Sequence, residues 1–405
     1  MTAQTLPDAP WRHRPGLDRL LDALGAPGGD ARFVGGAVRD TLLGLPVEDI
    51  DIATIHVPDE IVRRVKAAGI KAVPTGIAHG TVTAVIEGRP AEVTTLRRDV
   101  STDGRRATVA FTTEWREDAA RRDFTINALY ADPATGEITD FFGGVADLAA
   151  RHVRFIGKAE DRIAEDHLRI LRFFRFLARF GGGEPDREAY AACVAQANSL
   201  MALSRERIAD ELLKLLATAD PAPVVRLMVD GGILTPILPE ITEPGVTRLA
   251  DMVQREKLAG VEGAALRRLC ALLPQDAATG EAVAARLKLS NRARKRIALA
   301  LGPAVEGARS VEALAYRIGT EGAIDRLLLD RSIGVESVTP LIDWQPPVLG
   351  VTGGRLIAGG LTAGPDIAAA LKAVEDQWVA EGFPGETRVG EIVDQIVSKF
   401  QRARQ

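Results

Sequence analysis

Two aspartates one residue apart, Asp49 and Asp51 in EDIDIAT, form the pair with the clearest chemistry in the chain. They alternate with Ile50 and Ile52, so in a strand both carboxylates take one face while the isoleucines enter a core. Carboxylates that close repel unless a cation stands between them. Mg²⁺ suits such hard oxygen ligands and shares its shell readily with substrate phosphates. Upstream, Arg32, Phe33 and Val34 end a strand, Gly35 and Gly36 make a tight turn, and Ala37 to Leu43 begin a helix. A helix start after two glycines lets backbone amides approach an anion, and Arg39 adds a phosphate-matching fork. Taken singly, each piece has a plainer explanation: a Gly-Gly turn is ordinary geometry, and an Asp-x-Asp strand is often a solvated face.

Two later segments add to these. RRDFTINALY, Arg121 to Tyr130, places Arg121 and Arg122 where they could bracket a triphosphate, with Asp123 to orient an arginine or a ribose hydroxyl. AEDHLRILRFFRFLARFG reads as one amphipathic helix, part of a stretch from Ala159 to Arg179. On such a helix Asp166 and Arg169 are neighbours, Arg172 and Arg175 continue in steps of three, and Ile170, Phe173, Phe174 and Leu177 make the apolar face. Without the other blocks, this would be an amphipathic helix laced with ion pairs.

Together and at this spacing, the run from Gly35 to Thr54 resembles the signature of the class II nucleotidyltransferases of the polymerase β superfamily, the tRNA CCA-adding enzymes and bacterial poly(A) polymerases. The resemblance extends over nearly the whole chain and is most specific from 33 to 182. It implies an α/β nucleotidyltransferase head with a polymerase β-like mixed sheet, followed by all-α neck, body and tail domains. The boundaries drawn from it are 1–156 for the head, 157–218 for the neck with its base-recognition helix, and 219–335 and 336–405 for an RNA-binding body and tail. Asp49 and Asp51 would be the catalytic metal ligands, with Glu92 in AEVTTLR as a possible third carboxylate or simply a strand-edge acid. Gly35, Gly36, Arg39, Arg122, Asp166, Arg169, Arg172 and Arg175 would bind nucleotide.

The base-recognition role has a physical rationale. A carboxylate accepts hydrogen bonds and a guanidinium only donates them. Cytosine and adenine both present an exocyclic amine beside a ring-nitrogen acceptor, whereas uracil and guanine present the opposite polarity. An Asp166–Arg169 pair can therefore select C and A without a template strand, because the wrong base leaves polar groups unpaired. The implied activity is Mg²⁺-dependent addition of C and A from CTP and ATP to the 3′ end of tRNA. IKAVPTGIAHG stands where a Gly-Arg-Arg-Phe segment would resemble the poly(A) polymerases, which favours tRNA over poly(A) synthesis. An enzyme adding only CC or only A, and a catalytically silent RNA-binding protein, are the alternatives; retention of both aspartates argues against the last.

Composition bounds the rest. The 405 residues, 46% hydrophobic and 26% charged, fit a multidomain globular protein. No apolar run approaches bilayer length and the N-terminus does not read as a signal peptide, so a cytoplasmic protein with no membrane partner is expected. No protein partner is inferred. A net charge of −4 argues against non-specific coating of nucleic acid, though not against local contacts such as RLKLSNRARKR, Arg286 to Arg296, which reads equally as a solvated helix face. Cys193 and Cys270 read as reduced core thiols. None of the five histidines precedes an aspartate, so no His-Asp phosphohydrolase dyad is present. Strands are expected at RFV, DIDIAT, IKAV, TVTAVI and AEVTTL, with a helix from Pro58 to a stop at Gly69. A hairpin or excursion is expected between Arg97 and Glu114, turning at Asp103-Gly104. Past Gly157 helical periodicity takes over, and the glycines of 350–366 read as turns before a helix at Pro365 rather than as a nucleotide loop.

Overall fold

The computed structural model describes residues 4–103 and 106–402. The chain divides into two compact units, 1–215 with 230–237, and 216–229 with 238–405.

The first unit is built on a seven-stranded sheet of order β3-β4-β5-β2-β1-β8-β9. Its strands are β1 (Ala31–Val34), β2 (Asp51–Thr54), β3 (Lys71–Gly76), β4 (Thr81–Ile86), β5 (Arg89–Thr95), β8 (Leu129–Ala131) and β9 (Ile138–Asp140). The expected strands are all present; β8 and β9 were too short for alternation to announce them. β2 and β5 run parallel and every other pair is antiparallel. TVTAVI alternates half-buried and buried positions, the signature of a strand with one covered face. A separate two-stranded ribbon, β6 (Arg97–Asp103) and β7 (Arg106–Phe111), pairs Arg97 with Phe111 and forms the expected hairpin. Of its expected turn, Gly104 lies outside the described residues.

The helices of the first unit are short and locally encoded. They are α1 (Leu17–Ala23), α2 (Gly36–Leu42), α3 (Pro58–Ala67), α4 (Trp115–Ala120), α5 (Gly144–Ala149), α6 (Ala159–Glu165), α7 (Leu168–Phe180), α8 (Arg187–Ala195) and α9 (Arg205–Leu216). Pro58 opens α3, and Gly69, at φ 72°, follows its end. The single helix expected over Ala159 to Arg179 is two. Asp166 leaves the helical region at φ −150° and ψ 105°, and α7 starts afresh two residues on. An apolar face of α7, including Ile170, Phe173, Phe174 and Leu177, is buried as its spacing required. Phe173 and Phe176 pack on Phe124 and Phe155, with Phe155–Phe173 centroids 5.8 Å apart and Phe124–Phe176 centroids 5.1 Å apart. These rings fix α7 against the segment that follows Arg121 and Arg122.

The second unit is helical throughout its described elements, from α10 (Ala222–Asp230), which begins there, through α11 (Glu243–Leu258), α12 (Ala265–Leu272), α13 (Ala277–Arg286), α14 (Asn291–Leu301), α15 (Val311–Ile318), α16 (Thr320–Leu329) and α17 (Gly353–Ala358) to α18 (Pro365–Ala380) and α19 (Glu386–Arg402). Two apolar clusters lie in it, one around Ala271, Leu327 and Leu328, the other around Leu356, Val374, Trp378 and Ile392. α18 starts at Pro365 as expected, while residues 353–358 form a short helix among glycines read as turns. The basic run Arg286 to Arg296 is largely neutralised: Arg286 bridges to Glu240, Arg294 to Glu281 and Arg296 to buried Asp325. It is a salt-bridged helix pair more than a free cationic strip.

Candidate active site

Gly35 sits at φ 67° and ψ −119°, a conformation that excludes side-chain-bearing residues, between the end of β1 and the start of α2. A Cβ there would lie 3.3 Å from Arg122 Nη1 and 3.6 Å from the Asn127 carbonyl. Gly36 is different: its added Cβ would meet nothing nearer than Arg39 Nη2 at 3.7 Å. Gly35→Ala should therefore cost about 1–3 kcal/mol of stability through strain and displace Arg122, lowering both melting temperature and activity. Gly36→Ala should fold normally and raise the KM for nucleotide, if its bare backbone serves substrate approach. Thermal melts paired with steady-state kinetics separate the two effects.

Both glycines line a cleft of about 400 Å³ with Arg39, Asp51, Arg121, Arg122, Asp123, Asn127, Asp166, Arg169, Arg172 and Phe176. The sheet places the acids. Ile50 and Ile52 are buried, Asp51 is half-buried at the start of β2, and Asp49 is exposed just before the strand. The parallel register sets Asp51 beside Glu92, on the same face and about 5 Å away by strand spacing. Burial, then the charges of Glu92 and Asp49, pushes Asp51 up to about 6, against the pull of Arg122 and Arg39. A carboxylate raised by burial and by two acidic neighbours is relieved by a proton or by a cation, and its donors are the hard oxygens that a divalent ion takes. Among the described residues the acids do not close into a set of three converging ligands. Two carboxylates completed by substrate oxygens is a set that a divalent ion accepts.

The arginines are held in distinct ways. Arg122 donates to Asp118 at 3.1 Å and to Tyr130 Oη at 3.2 Å, and Arg121 Nε donates to the other oxygen of Asp118 at 2.8 Å. Burial opposes the charge on Asp118, yet Arg122, Arg121 and the Tyr130 hydroxyl hold it down to about 2. Asp118 was missed in the sequence, although WREDAARR sets it three and four residues before the two arginines, the spacing of helical ion pairs. Arg39 does not project as a free fork. It is 6% exposed, donates to Asp40 at 2.7 Å and Asn127 at 2.5 Å, and lies over the Phe180 ring at 4.3 Å, so the cleft meets one edge of a packed guanidinium. Arg172 Nε donates to Asp123 at 2.8 Å, fulfilling the expectation that Asp123 orients an arginine. Arg175 is turned away from the cleft-lining set; it donates to Glu211 at 2.6 Å and stacks on Phe176 at 4.4 Å.

Asp166 and Arg169 both face the cleft, though not as neighbours on one helix. Asp166 is engaged by Arg207 at 2.8 Å, and Arg169 by Glu165 at 2.5 Å. Asp49, Glu92 and Arg175 are the sequence-selected residues that the cleft lining does not include. Asn127, Arg162, Arg207 and Glu211 carried no motif signal; Arg207 lies 41 residues from its partner, beyond any spacing argument.

A strand–glycine turn–helix unit, a carboxylate on the adjacent strand and a rim of arginines define a nucleotidyltransferase head. The Poly A polymerase head domain family matches residues 31–154, and the "Probable RNA and SrmB- binding site of polymerase A" family matches 184–243. The mouse mitochondrial CCA tRNA nucleotidyltransferase 1 is 34% identical over 91% of this chain and 87% of its own length. The CCA-adding enzyme of Latilactobacillus sakei is 33% identical over 91% and 94%. The Bacillus stearothermophilus CCA-adding enzyme, solved with CTP, superposes at a TM-score of 0.72 with 28% identity, over 96% of this chain and all of that one. The chain belongs to the family of CCA-adding tRNA nucleotidyltransferases.

Proposed function

We propose that this protein restores the 3′ end of tRNA, adding C, C and A from CTP and ATP without a template and releasing pyrophosphate with Mg²⁺ as its cofactor. The observation that carries this reading is a single cleft joining the acid of the metal strand, the Arg121–Arg122 pair and the Asp166–Arg169 pair. Asp49 and Asp51, with Glu92 as a third acid, would hold the metal, which when bound supplies charge neutralisation for the triphosphate and acidifies the primer hydroxyl. Gly35, Gly36 and Arg122 position phosphates and sugar. Arg39, Arg172 and Arg175 complete the nucleotide-binding set, Arg39 and Arg175 through the side chains they hold. Asp166 accepts the exocyclic amine of C or A, and Arg169 donates to the ring nitrogen. Catalysis is then alignment and charge stabilisation, with no covalent enzyme intermediate.

Residues 1–156 act as head, 157–218 as neck, and 219–335 and 336–405 as RNA-binding body and tail. No helix among the described residues is long and apolar enough to cross a membrane. The proposed location is the cytoplasm, where the two free, buried cysteines would stay reduced.

Incubation with tRNAs ending before CCA, after C or after CC, with single labelled nucleotides, tests this directly. Products should gain C, C and A and then stop even in excess ATP. Long adenosine tails on unrelated RNA would instead make it a poly(A) polymerase, and arrest after CC, or use only of tRNA already ending in CC, a partial enzyme. Absence of any incorporation would leave an RNA-binding protein.

A further inference from the structure

We propose that Arg162 and Arg207 are positioning residues for base choice, each aiming one member of the Asp166–Arg169 pair; the inference rests on the reading of that pair as the base selector. Neither belongs to the cleft-lining set. Their effect passes through the residues they hold.

Asp166 lies between two helices in an extended conformation, so helical packing does not set its rotamer. Two hydrogen bonds do: Arg207 Nη2 donates to Oδ2 at 2.8 Å, and the Leu168 amide donates to Oδ1 at 3.1 Å. An ionised carboxylate offers about four lone-pair sites, so two remain for a base amine after these donors are served. Arg207 comes from α9, and its side chain is 40% exposed.

Arg169 is aimed from the other direction. Its Nη1 donates to Glu165 Oε2 at 2.5 Å and to the Arg162 carbonyl at 2.9 Å. Arg162, 9% exposed on α6, donates Nη1 to Glu165 Oε1 at 2.9 Å and Nη2 to the carbonyls of Arg121 and Arg122 at 2.5 and 2.9 Å. One guanidinium therefore ties the carboxylate that holds Arg169 to the backbone of the two arginines on the triphosphate side. Its planar fork can serve two carbonyls and an acid at once, which an ammonium cannot match.

Reading a base edge requires an acceptor and a donor at a fixed separation, and a displacement of about 1 Å at a reacting or reading group can cost on the order of 10²-fold. Arg207 sets the acceptor and Arg162 sets the donor. Both are anchored in the same compact unit as the acids of the metal strand.

The test is kcat/KM for each of the four nucleotides on tRNA lacking CCA and on tRNA ending in CC. Arg207→Ala should reduce discrimination against UTP and GTP by about tenfold, the effect of one lost charge-assisted bond, with an unchanged melting temperature. Arg207→Lys should recover most of it. In an Asp166→Ala background, Arg207→Ala should add nothing to the change in base choice. Arg162→Lys should loosen base choice and raise KM for all nucleotides, because it frees the triphosphate side as well. Wild-type preference in Arg207→Ala beside lost preference in Asp166→Ala would overturn the positioning role and leave the base-selecting pair standing. Wild-type preference in both would overturn the pair itself.

Discussion

Replacing Asp51 by asparagine is expected to cut nucleotide incorporation by at least about 10²–10³-fold, the scale of losing one preorganised electrostatic partner of the transition state. The apo protein should melt no lower than wild type. Asp51 has an ordinary value of 3.8 and is pushed up to about 6 by burial, by Glu92 beside it in register and by Asp49. Between those pH values the folded protein keeps a proton that the unfolded chain has released, so this group's contribution to stability falls as pH rises through the window. Above about 6 the ionised carboxylate is a net burden on the metal-free fold, and asparagine removes it. The melting temperature of Asp51→Asn should therefore match wild type near pH 4 and exceed it at pH 7. Asp49→Asn should lose activity comparably with little change in melting, because Asp49 is already in solvent. Turnover near wild type in either variant would remove that acid from the metal site.

The alternation that turned Asp51 out of the core was legible because Ile50 and Ile52 had to be buried, whereas Asp49 lies exposed just before the strand begins. Four residues of β2 and the parallel neighbour β5 then brought Glu92 into line. The Gly35 turn was legible because few residues follow a strand into a helix within one step, and its φ of 67° confirms the need for glycine. Helical periodicity, by contrast, ran straight through Asp166. Three-residue spacing is equally consistent with a continuous helix and with two helices meeting at a corner, and the choice was made by Arg207, Glu165 and the Leu168 amide, none of which the period reveals. Arg39 and Arg175 show a second limit. Charge type and spacing identify an arginine near phosphate chemistry, but whether its fork faces the ligand or a buried acid depends on residues as distant as Asn127 and Glu211.

Asp118→Ala should be among the most destabilising single substitutions in the first unit. The carboxylate is 1% exposed and takes bonds from Tyr130 Oη at 2.7 Å, Arg121, Arg122 and the Arg97 amide. Removing one partner of a buried ionic set costs about 3–5 kcal/mol, because the remaining charges stay buried without a counter-charge. That is a large share of the roughly 5–15 kcal/mol that holds a domain folded. Activity should fall as well, since Arg121 and Arg122 both line the cleft and both lose their anchor. The pH dependence follows from the direction of the shift. Asp118 is held at about 2 against an ordinary 3.8, so its stabilisation is complete above 3.8 and is lost as pH falls toward 2. Urea unfolding of wild type and Asp118→Asn at pH 7, 5 and 4 should show a constant gap that begins to close only at the lowest pH. A gap below about 1 kcal/mol at pH 7 would mean that Arg121 and Arg122 find other partners, and that Tyr130 and Arg162 alone suffice to hold the triphosphate side of the cleft in place.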